Sequence, residues 1–214
     1  LSAVNRATLI CLNGSSIERA TIGARRIGRG IDLRQFPDPH GVVFWYPNTG
    51  LGSSRMSFQR QISQRLDEEH RANLELLGRI EKALARNADA ELPALAGPLV
   101  RHLEHEVGRH FGFEEEQLFP RMADSGDEDL ATLLAEEHDS IRAVAEELLP
   151  LARAAASGSA LAGADLATFK RLAIELTERQ VGHIQKETMA LLPLLDDLLD
   201  DEADRELAFV YSCD

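Results

Sequence analysis

The chain has 214 residues, is 44% hydrophobic but only 5% aromatic, and carries a formal charge of -13. That length and apolar content suit one ordinary domain with its own core, and the acidic balance excludes a nucleic-acid surface, which needs clustered Lys and Arg. No apolar run reaches the ~18 residues of a membrane span, and two cysteines at opposite ends, Cys11 and Cys213, make neither a disulfide framework nor a CxxC site, which fits a reducing, cytoplasmic setting.

In chain order, the first stretch differs from the rest. Residues 1–55 hold seven Arg against Glu18, Asp32 and Asp38, a balance of +4, so the remainder carries -17. The stretch is rich in Gly, Ser and Arg, lacks helical periodicity, and contains the only Trp. Helical patterning begins at Ser57, just after Met56. The expected organisation is an N-terminal extension over 1–55, non-native or loosely ordered, followed by a helical domain over 56–214. Phe44, Trp45 and Tyr46 are the residues that would dock such an arm onto the domain or a second subunit, and His40 is read as incidental.

Apolar spacing predicts a first helix over about 57–86, with Ile62, Leu66, Leu74, Leu77, Ile80 and Leu84 on one stripe. Pro93 and Pro98 mark a break, and a second helix is expected over about 99–119, stopping before Pro120. Asp124-Ser125-Gly126-Asp127 reads as a capped loop, and a third helix covers about 128–156. A fourth runs over about 165–192 to Pro193, and a short acidic helix follows over 194–209. The predicted fold class is all-α: an up-down-up-down four-helix bundle with an irregular N-terminal extension.

The second and fourth helices repeat each other. His110-Phe-Gly-Phe-Glu114 with Leu118-Phe119-Pro120 matches His183-Ile-Gln-Lys-Glu187 with Leu191-Leu192-Pro193, at an offset of 73. Glu68-Glu69-His70 and Glu136-Glu137-His138 repeat at an offset of 68. Residues four apart on a helix project from one face about 40° out of line, so each HxxxE pair can reach one metal centre. Glu115, five after His110, points further round and is the poorer candidate. A lone histidine on an apolar stripe is more often a hydrogen-bonded core residue. Here six polar groups fall on four inner stripes, and each buried carboxylate costs several kcal/mol unless its charge is compensated. Metal satisfies them together.

These motifs resemble the hemerythrin-like family, the HHE cation-binding domain. HFxxEE followed by LFP, and the later HIxxE, carry the resemblance, which spans about 57–195. It implies a dinuclear iron centre held by His70, His110, Glu114, His138, His183 and Glu187. The two glutamates would bridge the ions with an oxo or hydroxo group, leaving a coordination position for a small ligand. Imidazole and carboxylate suit iron, with manganese or zinc as alternatives, and the lack of thiolates argues against a structural zinc site. Oxygen carriers of the family have a further histidine where this chain has Arg142. The four-histidine, two-glutamate set is closer to the repair-of-iron-centres proteins, although their paired N-terminal cysteines are lacking.

His102 and His105 are read as partly exposed, and Glu106, one turn before His110, either as a group orienting a ligand histidine through an outer hydrogen bond or as a third carboxylate ligand. Phe111, Phe113 and Phe119 are expected to exclude water, and the acidic run over 196–206 to be a solvated face. No nucleophile triad or phosphate-binding loop is recognisable, so no catalytic residue is named. The function expected is the handling of dioxygen, nitric oxide or peroxide in sensing, scavenging or stress defence, with a homodimer as the candidate assembly. The alternative is an iron-responsive interaction module.

Overall fold

The computed structural model describes residues 8–13, 16–21, 57–159 and 161–213. His40, Phe44, Trp45, Tyr46 and Met56 lie outside them, as does the side chain of Glu106. The chain falls into two units, 1–54 and 55–214. Within the first, β1 (Thr8–Asn13) pairs antiparallel with β2 (Ser16–Thr21), setting Leu9 opposite Ala20 and Leu12 opposite Ile17. The helical reading did not cover this pair. Its sequence signal is Gly14-Ser15 between two short runs containing β-branched residues.

Among its described residues the second unit is helices joined by short turns. Its helices are α1 (Gln61–Ala85), α2 (Leu92–His105), α3 (Phe111–Phe113), α4 (Phe119–Ser125), α5 (Glu128–Ala156), α6 (Gly163–Lys186), α7 (Leu192–Leu198) and α8 (Asp201–Cys213). Segments α2, α3 and α4 form one long rod joined by π-helical turns at Glu106–His110 and Glu114–Leu118; α6 and α7 form another, joined at Glu187–Leu191. Around the bundle, α1 packs on α2 and α6, and α5 packs on α2 and α6.

Two apolar clusters fill the interior. One contains Leu77, Leu103, Ile141 and Leu176, and the other Leu66, Leu118, Leu134 and Leu191. Along α1 and α5 the chain passes from the second cluster to the first, and along the α2 and α6 rods it passes back. The four rods therefore alternate in direction. On every rod a buried histidine lies between the two clusters: His70, His110, His138 and His183. The core is thus two apolar halves separated by one polar layer.

The prolines do not stop the helices where the sequence reading placed the ends. Pro93 is the second residue of α2, where a missing N–H costs nothing, and Pro98 lies inside that helix. Pro120 and Pro193 are each the second residue of the segment after a π-turn. A π-turn widens the helix and shifts its hydrogen-bond register, so the pyrrolidine ring meets less of the preceding carbonyl turn. Both π-turns begin at a glutamate of the repeat, Glu114 or Glu187. The second rod ends at Gly126, whose φ of 99° is a left-handed conformation suited to glycine.

The acidic run after Pro193 is not simply solvated. Asp196 accepts hydrogen bonds from the backbone of Gln59 and Arg60 at 2.6 and 3.0 Å, and Asp204 accepts those of Gln61 and Ile62, both at 3.0 Å. These are donors that the start of α1 cannot satisfy internally. Asp204, nearly buried, thereby pins α8 to α1. Asp204→Ala is expected to cost about 1–2 kcal/mol of unfolding free energy, as for loss of a helix cap. Chemical denaturation measures it, and an unchanged midpoint would mean the cap adds nothing.

Candidate metal centre

The polar layer brings together all six residues singled out by the repeat. His70, His110, Glu114 and Glu187 form one group, and Glu114, His138, His183 and Glu187 form a second. Within each group one donor atom per residue lies within 4.8 Å of every other. All six residues are at most 1% exposed.

The glutamates are shared in a specific way. Glu114 sets Oε1 3.2 Å from His110 Nε2 and Oε2 3.3 Å from His138 Nε2. Glu187 sets Oε2 3.1 Å from His70 Nε2 and Oε1 3.0 Å from His183 Nε2. Each carboxylate therefore divides its two oxygens between the two histidine pairs.

Donor chemistry at the centre fits cations better than hydrogen bonds. All four oxygens of Glu114 and Glu187, and Nε2 of His70, are buried without a hydrogen-bond partner, although imidazole nitrogens stand close by. Leaving such groups unsatisfied costs about 1–3 kcal/mol each, more when charged. Nitrogen and oxygen lone pairs that converge on one centre are what a metal ion satisfies.

The outer nitrogen of every histidine meets an oxygen. His110 Nδ1 lies 3.1 Å from Glu69 Oε2 and 2.9 Å from the Tyr211 hydroxyl, His138 Nδ1 2.8 Å from Glu115, and His183 Nδ1 3.1 Å from Glu137. His70 Nδ1 has the Thr188 hydroxyl at 3.4 Å. An Nδ1–H donated outward leaves the Nε2 lone pair aimed at the centre and fixes the ring. The supporting carboxylates are themselves held: Glu69 by Tyr211, Glu115 by Arg142 and Glu137 by Lys186.

These contacts keep the outer glutamates ionised. Burial pushes Glu69 up, but hydrogen bonds from His110 and Tyr211 outweigh it and hold the carboxyl down at about 2. Glu115 and Glu137 are likewise lowered: burial opposes, and bonds from Arg142 and His138, and from His183 and Lys186, prevail. Burial pulls His183 down, yet the Glu187 and Glu137 carboxylates raise it to about 10 in the protein without metal.

Aromatic rings close the layer. Phe111 stacks on His138 with centroids 3.8 Å apart and planes 6° from parallel, Phe119 covers His138 at 5.4 Å, and Phe113 tilts against Tyr211 at 4.7 Å. Arg142 pairs with Glu115 and lies over the Phe111 ring, so its guanidinium braces an outer carboxylate.

Sequence reasoning assigned the outer groups poorly. Glu115 was set aside for pointing away from the His110 face, and that direction is what lets it reach His138 on α5. Glu69 and Glu137 stood in view in the repeated Glu-Glu-His and were not given a role. Nothing local marked Thr188 or Tyr211. His102 is buried rather than partly exposed, between Asn73 at 3.1 Å and Gln180 at 2.5 Å, whereas His105 is exposed beside Arg109. Glu106 starts a π-turn.

None of the described helices is long and apolar enough to cross a membrane. No curated protein matches the chain. The sequence profile of the hemerythrin HHE cation binding domain matches residues 61–195, the span that holds all six converging side chains. An all-α bundle, two buried histidine–glutamate groups that fit a metal site, and that profile agree, and the chain belongs to the hemerythrin HHE cation-binding family.

Proposed function

We propose that this is a non-haem diiron protein that binds or reduces a small oxidant, namely dioxygen, nitric oxide or peroxide, in sensing, scavenging or stress defence. The observation that carries the reading is the division of Glu114 and Glu187 oxygens between two histidine pairs, a donor pattern for two adjacent cations. His70 and His110 would hold one ion, His138 and His183 the other, and the two glutamates both. Nitrogen and oxygen donors without thiolate favour iron, with manganese or zinc as competitors.

Bound iron would supply electrons and an exchangeable coordination position. The chain's own residues determine what reaches it. Phe111 and Phe119 close the layer around His138, so only a small molecule fits without rearrangement. Glu69, Glu115 and Glu137 orient His110, His138 and His183 and strengthen them as donors. Arg142 is tied to Glu115, so α5 offers no fifth imidazole where oxygen carriers of the family have one. That favours the ligand set of the repair-of-iron-centres proteins over reversible oxygen carriage.

The test is stopped-flow mixing of the anaerobic, ferrous protein with dioxygen, nitric oxide and hydrogen peroxide in turn. A change in near-ultraviolet and visible absorption with at least one is expected. No change with any of them, in protein shown to contain two irons per chain, rules out oxidant handling.

A second reading has its own support. Tyr211 on α8 touches both His110 and Glu69, so occupancy of the centre is felt by a helix near the end of the chain. In that reading the protein is an iron-responsive interaction module in which metal sets how firmly α8 docks. Limited proteolysis with and without chelator separates the two, since α8 equally protected in both states argues against a metal-driven switch.

A further inference from the structure

The two halves of the centre are related by the internal repeat, but the outer partners of their histidines are not all alike. Moving 68 positions on from α1 and 73 on from the second rod takes His70 to His138, Glu69 to Glu137, His110 to His183 and Glu114 to Glu187. The outer contact Glu69–His110 has its counterpart in Glu137–His183, both at 3.1 Å. The crossed contact differs in kind. His138 has Glu115 at 2.8 Å, while the position equivalent to Glu115 is Thr188, whose hydroxyl lies 3.4 Å from His70.

We propose that the two cation positions are unequal, and that the one built on His70 and His110 exchanges its ion first because Thr188 stands where the other half has Glu115. This rests on the dinuclear reading and goes beyond it. A carboxylate accepting from Nδ1–H fixes the imidazole plane and strengthens its Nε2 as a donor. A hydroxyl at 3.4 Å holds it loosely. Arg142 draws some electron density from Glu115 but also pins it at 2.8 Å, so the net effect on His138 is a fixed ring.

Packing points the same way. Phe111 stacks on the His138 ring at 3.8 Å and Phe119 covers it at 5.4 Å, whereas His70 has one tilted ring contact, with His110 at 5.4 Å. His70 is thus the least firmly oriented of the four imidazoles, although Tyr211 gives its neighbour His110 a second outer partner.

The experiment counts ions. Ferrous-loaded full-length protein is challenged anaerobically with a coloured iron(II) chelator, and release is followed per chain with circular dichroism as a check on folding. Two phases of one ion each are expected, the first faster by about 10-fold or more, the scale on which outer hydrogen-bond partners act. Thr188→Glu slows the first phase towards the second, and Glu115→Thr speeds the second towards the first. If either variant fails to fold, the other still decides. Two ions leaving wild type in a single phase, or folded variants that leave both phases unmoved, overturn the inequality while the dinuclear centre stands. Fewer than two ions bound per chain at saturation refutes the dinuclear reading itself.

Discussion

Glu187→Gln leaves the chain holding at most one metal ion, with an affinity lower by more than about 100-fold, a larger loss than that of an outer partner such as Glu115. The carboxylate is fully buried and spans the centre, with Oε2 at His70 and Oε1 at His183. An amide keeps the shape but loses the charge and one acceptor oxygen, so it cannot serve two cations at once. Glu114→Gln should behave alike, because it bridges His110 and His138 in the same manner. Glu116, exposed on the same rod two residues on, is the control, and Glu116→Gln should bind as wild type does. Metal content after gel filtration, with a competitive chelator titration, measures all three. Full occupancy of two ions in Glu187→Gln at unchanged affinity would show that the carboxylate is not shared.

Stripping the metal is expected to lower the thermal midpoint by about 8–16 °C. An ion present at ~1,000 times its dissociation constant adds about 4 kcal/mol to the native state. A domain of this size shifts by roughly 2–4 °C per kcal/mol. The metal-free form should also depend on pH in a characteristic way. Burial pulls His183 down, but Glu187 raises it to about 10, so its stabilisation is complete below the ordinary 6.5 and is lost as pH climbs through about 10. Burial pushes Glu187 up, but His183 holds it well below 4.5, so its contribution is present above 4.5 and disappears in acid. Metal-free protein is therefore most stable between these limits. Metal-loaded protein, in which the cations take the place of the His183 proton, should be flatter on the alkaline side. Calorimetry from pH 5 to 10.5 measures both forms. A midpoint unmoved by chelation would mean that metal contributes nothing to the fold.

Much of the centre was legible in the chain because an α-helix makes it local. Residues four apart share a face, so the spacing in His110 to Glu114 and His183 to Glu187 already placed each pair together, and the apolar stripes showed which face was inward. The repeat offsets of 73 and 68 then implied that all four rods meet in one layer. Their alternating direction followed from short connections. The helix ends were less legible. Proline was read as a stop at residues 120 and 193, but the π-turns ahead of both let the rods continue.

What local periodicity determined about this protein was six inward donors on four amphipathic helices. Only the tertiary structure decided which oxygen faces each outer nitrogen. Glu115 reaches His138 across to another helix, Tyr211 reaches His110 from 101 positions away, and Asp204 caps Ile62 from 142 positions away. The physical reason is that a helix fixes the direction of a side chain relative to its own axis. The rotation and crossing of neighbouring rods fix what that side chain meets, and these are set by packing of the two apolar halves. The inequality of Glu115 and Thr188 is written in the sequence as one of several mismatches in a repeat, and it acquires meaning only once His138 and His70 are seen opposite them.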